Sequence, residues 1–229
     1  MRLVEGVVTV GGEAFPDVEA FVERLEAERS EASERASGRR ERSDRRHASR
    51  AVDHREAAER ASGERERHAS RAVDHREASE RASGERERPA SRDHDMTVQA
   101  FDARYIVSRR HLERAVELAD RARDRGEAIA RDRGVEILLY AAGRRQINRA
   151  MEMGVGEGRT PAVVLVDGGD ESAVARAVAD LLEPAETLGA YDAARVRSFF
   201  DVGQAELDAT GGGLEGLVLE RVALLVVER

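Results

Sequence analysis

Pro161-Ala-Val-Val-Leu-Val-Asp-Gly168 is the stretch whose reading settles the fold class. Five apolar residues stand in a row between a proline and a glycine. Such a run reads as a strand buried on both faces, because a strand with one wet face alternates apolar with polar side chains. It feeds a helix that buries Ala173, Val174, Ala177, Val178, Leu181 and Leu182, with Pro184 just past its end. Toward the N-terminus, Thr97 to Phe101 reads as a second strand, and Leu3, Val4, Val7, Val8 and Val10 as an opening one. Asp17 is placed to cap a helix whose Val18, Phe21, Val22 and Leu25 follow i, i+3, i+4, i+7 spacing.

Between the second and third strands lie three helices. Ser108 caps the first, which carries Leu112, Ala115, Val116, Ala119 and Ala122 on one stripe and ends at Gly126. The second runs from about Asp132 through Val135, Leu138, Leu139 and Ala142 to Gly143. A short third one holds Ile147, Ala150 and Met151 before Gly154. Beyond the central strand, a small element surrounds Val196, Phe199 and Phe200. Leu214, Leu217, Val218, Val222 and Leu225 then keep helical spacing, although Leu224 to Val227 fit a strand as well. The expected class is α/β: one domain with a small mixed sheet packed by helices.

That domain is interrupted. From residue 28 to residue 95 strong apolar residues vanish, and Arg, Glu, Ala, Ser, His, Asp and Gly alternate with no buried face. The segment from Arg46 to Arg67 recurs almost unchanged from His68 to Arg88, with His68 standing where His47 stood, which points to a duplication. The expected organisation is an N-terminal strand and helix in residues 1–27, a low-complexity repeat insertion in 28–95, and the remainder of the domain in 96–229. Five of the six histidines (His47, His54, His68, His75 and His94) fall in the insertion, and imidazole is a metal ligand. The competing reading is a solvated segment that cannot bury enough surface to offset its conformational entropy. Ala, Arg and Ser at the would-be a and d positions, with Gly63 and Gly84 interrupting, argue against a coiled coil.

Composition excludes much chemistry. There is no cysteine, hence no disulfide, thiolate zinc site, iron–sulfur cluster or cysteine nucleophile. There is no lysine either: all 38 basic residues are arginine, against 46 acidic ones and a net charge of −8. A P-loop and a Schiff base both need a lysine. An acidic, lysine-free, alanine-rich chain suggests the salt-rich cytoplasm of a halophile. There the Debye length falls to about 3 Å, so any nucleic-acid binding rests on close contacts. No segment has the apolar length of a membrane span, and the start lacks the pattern of a signal peptide, so a cytoplasmic location is expected.

Catalytic motifs are sparse. Val164-Leu-Val-Asp167-Gly-Gly-Asp170 resembles the end of a nucleotide-binding strand, but without a phosphate loop it reads as a strand and a turn. Gly154-Val-Gly156-Glu-Gly158 follows a helix rather than a strand and reads as a plain loop. His111, the one histidine outside the insertion, reads as a surface or packing residue, and the Asp132 and Glu136 carboxylates as helix-surface charges. No cofactor and no enzyme activity are expected. What stands out is Gly143-Arg144-Arg145-Gln146-Ile147-Asn148-Arg149, in an otherwise acidic domain. The turn is expected to open a helix, whose free N–H groups and positive end beside Arg144 and Arg145 suit a phosphate. Gln146 and Asn148 suit base edges, and Ile147 an unstacked base. A solvated arginine face is the other reading.

The stretch from Val135 to Gly154 resembles the signature of the CGI-type, PRPK-binding protein family. Ser108-Arg-Arg-His-Leu-Glu-Arg-Ala115 is similar to the preceding family helix, and Leu217-Val-Leu-Glu-Arg-Val-Ala-Leu-Leu225 to the family's ending. The resemblance extends over nearly everything outside residues 28–95. It implies the small regulatory subunit of the KEOPS complex, which makes N6-threonylcarbamoyladenosine in tRNA. Such a subunit docks on an atypical kinase/ATPase subunit, stimulates it, and through it serves the threonylcarbamoyltransferase subunit. It also recruits tRNA by the single-stranded 3′ CCA end. By motif match the resemblance implies an RNA role for Arg144, Arg145, Gln146 and Ile147, with Arg131, Arg133 and Arg149 as weaker neighbours. It assigns no kinase-docking residues. Two other readings stand beside it: a small-molecule or nucleotide-binding domain using Asp167 and Asp170, and a purely structural kinase-binding adaptor.

Overall fold

The computed structural model describes residues 1–31, 34–35 and 96–226. The chain divides into two units, Met1–Ser33 with His94–Arg229, and Glu34–Asp93; the fold described here is that of the first. The repeat and the five histidines of the insertion lie outside the described residues.

The apolar run forms most of β3 (Gly158–Asp167), which pairs with β1 (Arg2–Val10) on one side and β2 (Thr97–Asp102) on the other. A two-residue edge strand, β4 (Glu183–Pro184), completes the order β2-β3-β1-β4. Proline suits that edge because it has no N–H to offer a further strand. The Cβ of any other residue at Gly6 would lie 2.7 Å from Leu182 Cβ and 2.8 Å from the Glu183 carbonyl, so a glycine is what lets β4 approach β1.

Every pairing in this sheet is antiparallel, where a mixed sheet was expected. The reason lies in the strand order. β1 and β2 point the same way and are joined by a helix, which reads as a parallel crossover unit, but β3 inserts between them. The class itself is as expected: a small sheet packed by helices.

The run lacks alternation because both faces of the sheet are covered. Ala162, Val164 and Val166 meet Val4, Val8, Phe21, Val174 and Val178. Those partners come from β1, from α1 (residues 18–31) and from α5 (Glu171–Ala179). Val163 and Leu165 point the other way, into a larger core with Phe101, Leu112, Ile137, Leu139, Val218 and Val222. That core belongs to α2 (Arg109–Asp124), α3 (Arg133–Ala142) and α8 (Gly213–Leu224). Between them come α4 (Ile147–Ala150), α6 (Ala193–Phe199) and α7 (Gln204–Ala209).

The caps expected at Asp17 and Ser108 are present, and Asp132 and Asp170 cap helices as well. Asp17, Ser108, Asp132 and Asp170 accept from the N–H groups of Ala20, His111, Val135 and Ala173. Helix α1 continues to residue 31, past the boundary at 27 that the loss of apolar residues suggested. The C-terminal alternative resolves as helix through Leu224.

Candidate functional site

The arginine cluster begins as the end of α3. Gly143 takes a left-handed conformation (φ 57°), its N–H bonds the Tyr140 carbonyl, and the Arg144 N–H reaches the Leu139 carbonyl. This double bond from two successive N–H groups is a Schellman cap. The Arg144 amide is therefore used, and the longer helix beside the cluster presents its negative end. The expectation of a free N–H beside Arg144 is thereby corrected, although a helix does open after the turn. The helix that follows, α4, is a single turn whose preceding residue Gln146 makes no side-chain cap bond. Ala150 and Met153 are buried and pin this turn to the core, so the other side chains point outward.

What the turn presents is a mixed surface. Arg145, Gln146, Ile147, Asn148 and Arg149 are exposed, and Arg144 is half-buried. Ile147 and Met151, one helical turn apart, keep 47% and 62% of their surface in water, and large apolar side chains that exposed mark a contact face. The Arg144 guanidinium lies 5.9 Å from the Phe199 ring centroid and donates to the Phe199 carbonyl (2.6 Å) and the Asp201 carboxylate (2.7 Å). Arg149 pairs with Glu152 at 2.8 Å. Arg145 borders a shallow pocket with Tyr140, Ile129 and Leu225.

Arg131 and Arg133 do not join this surface. They stand at the other end of α3, whose ten residues at a rise of about 1.5 Å each separate them from the turn by roughly 15 Å. Arg133 is interior, which corrects its assignment as an RNA contact. Its guanidinium bonds Asp120 (2.7 and 2.9 Å), the Thr97 hydroxyl (3.0 Å) and Asp167. Arg131 is exposed, and its carbonyl accepts from Arg123.

The same contacts dispose of the Asp167 and Asp170 reading. Burial favours the neutral Asp167 carboxyl, but hydrogen bonds from Arg133 and the chain's amino group outweigh it and hold the group below the usual carboxylate range. Asp170 is the cap of α5. Asp167 is thus committed to Arg133 and the amino group, and Asp170 spends one oxygen on the cap. Among the described residues no cluster of histidine and carboxylate side chains is placed to hold a metal ion.

Two further polar residues depart from expectation or sharpen it. Glu136 is fully buried, where a surface charge was expected, and accepts from the Ile129 and Ala130 N–H groups as they turn into α3. His111 is a packing residue. Its Nε2–H donates to the Ala141 carbonyl at 2.8 Å, its ring meets Phe200 edge-on, and burial pushes its pKa down to about 4. Asp201 was not named from the sequence, and Phe199 and Met151 were read there only as residues of their local elements, not as part of this site. Met151 was readable from its i+4 spacing to Ile147, whereas Asp201 and Phe199 arrive from an element more than fifty residues away.

The fold and this turn define a helix-packed antiparallel domain with an exposed surface of arginine and apolar side chains, the makeup of a macromolecular contact face. The family model described as Kinase binding protein CGI-121 matches residues 79–225. The chain belongs to this family of kinase-binding proteins. The match does not reach residues 1–27, although β1 from that segment forms the longest ladder with β3. No curated protein matches the chain. Among the described residues, no helix is long and apolar enough to cross a membrane.

Proposed function

We propose that this chain is the non-catalytic regulatory subunit of KEOPS, binding and stimulating the kinase/ATPase subunit and recruiting tRNA by its 3′ CCA end. In that role it supports threonylcarbamoylation of tRNA by the transferase subunit, in a salt-rich cytoplasm, and uses no cofactor of its own. The kinase partner follows from family membership. The tRNA role rests on one observation: the turn after α3 exposes Arg145, Arg149, Gln146 and the Ile147–Met151 pair together. A single-stranded end offers phosphates to arginine and unstacked bases to an apolar or planar surface, a pairing that survives strong screening because it is made at contact distance.

The test is binding of the full chain, in molar KCl, to intact tRNA and to the same tRNA lacking its CCA end. The expected result is tighter binding of intact tRNA, lost when Arg145 and Ile147 are both replaced by alanine while kinase association persists. Equal, negligible binding of both RNAs overturns the tRNA role. It leaves the kinase-binding adaptor, a reading that the intrachain pairing of Arg144 and Arg149 favours.

A further inference from the structure

Asp201 is the one non-glycine residue with positive φ among the described residues (52°), just past Phe200, the C-cap of α6. Aspartate tolerates this conformation better than most side chains, but it still costs relative to glycine. The conformation carries the carboxylate to Arg144, 2.7 Å from Nη2, while 76% of the Asp201 side chain remains in solvent. Asp201 shares a small surface cavity with Gly143, Arg144, Arg221 and Leu224.

We propose that the Asp201 carboxylate is a resident anion occupying the place of an RNA phosphate on Arg144, and that a bound strand displaces it. This rests on reading the turn as an RNA surface. Arg144 is built as a receptor: its guanidinium is oriented by the Phe199 carbonyl and stacked toward the Phe199 ring, which leaves its outward edge to a single anion. The present occupant is exposed and carried on one side chain, so it leaves by rotation without exposing any core. The hydrogen bond from Arg144 holds the Asp201 carboxyl below the usual carboxylate range, and the charges of Arg144, Arg149 and Arg221 add to this. The neighbourhood is thus electropositive enough to favour whichever anion sits there. A resident carboxylate also raises the threshold for weak, nonspecific anions, so only a ligand with further contacts on the turn replaces it.

The experiment compares D201N and D201G with the wild-type chain, since Asn and Gly both accept the left-handed backbone. Both variants are expected to bind intact tRNA about two- to fivefold tighter, the worth of one exposed ion pair, with the gain shrinking as KCl rises. The gain should vanish in R144A. Unchanged or weaker binding by both variants overturns the proposal, since Asp201 then either plays no part or orients Arg144 for its ligand. If the wild-type chain binds no tRNA, the proposed function falls, and arginine side-chain NMR with inorganic phosphate decides this one separately. A lower half-saturation for the Arg144 signal in D201N supports displacement; equal values in both proteins overturn it.

Discussion

Replacing Arg133 with alanine removes its ion pairs with Asp120 and Asp167 inside a nearly closed site, where Arg133 keeps only 8% of its surface, and leaves Asp167 the amino group of Met1. Breaking a buried ion pair by removing one side costs about 3–5 kcal/mol, because the remaining charges are stranded. Urea unfolding of R133A should show a loss of that order, against less than about 0.5 kcal/mol for the exposed R131A. A reduced tRNA affinity in R133A would then report lost structure, not a lost contact. His111 adds a pH dependence. With its pKa near 4 when folded and an ordinary value near 6.5 when unfolded, the unfolded chain binds the extra proton between those values, so acid favours unfolding. This contribution is complete above about pH 6.5 and is lost as pH falls toward 4, by roughly 3 kcal/mol in all. Urea midpoints at pH 7 and 5 should differ in the wild-type chain, and H111Q should flatten that difference. The location of His111 was open in the sequence between surface and interior, since the first turn of a helix presents both. Its buried contact with the Ala141 carbonyl exists only once α2 and α3 are packed.

At the scale of elements, the legible features were those carried by neighbours along the chain. Asp17 and Ser108 announce helix starts because a cap bonds an N–H two or three residues on, and Asp132 marks the start of α3 for the same reason, whereas the cap role of Asp170 was not read. Gly126 and Gly143 announce helix ends for a similar local reason. The illegible features were set by distant partners: Arg133 and Glu136 turn inward because Asp167 and the backbone of Ile129 and Ala130 wait for them. The antiparallel sheet was hidden for the same reason, as nothing local shows β3 entering between β1 and β2. The two helix-ending glycines also give a paired test. Both have positive φ, but a Cβ at Gly126 meets nothing, while at Gly143 it would stand 3.2 Å from the Arg221 carbonyl oxygen. G126A should therefore cost only the left-handed penalty, about 1 kcal/mol, whereas G143A should cost more by whatever the α8 backbone must yield. Calorimetric Tm values of the two variants read that difference directly. Because Gly143 holds the Schellman cap that aims Arg144, only G143A should also weaken RNA binding.

For the whole molecule the question is how one compact unit tolerates a long interruption between α1 and β2. Residues before and after it meet in the same core: Phe21 and Leu25 of α1 pack in one cluster with Met96 and Ala100 beside β3. The fold therefore has to close a loop of more than sixty residues, and closure entropy grows only with the logarithm of length, about 0.6 kcal/mol for each doubling. Replacing residues 40–90 by a short Gly/Ser linker shortens that loop by about two doublings. If the insertion makes no contact that stabilises the folded unit, the shortened chain should gain about 1 kcal/mol, which for a domain of this size raises Tm by roughly 2–4 °C. Scanning calorimetry in matched salt makes the comparison. A Tm lower than that of the full chain would mean that the insertion adds contacts to the unit worth more than the entropy it costs. An unchanged fold with altered tRNA affinity would instead place its arginines in the RNA-binding role, acting in addition to the turn after α3.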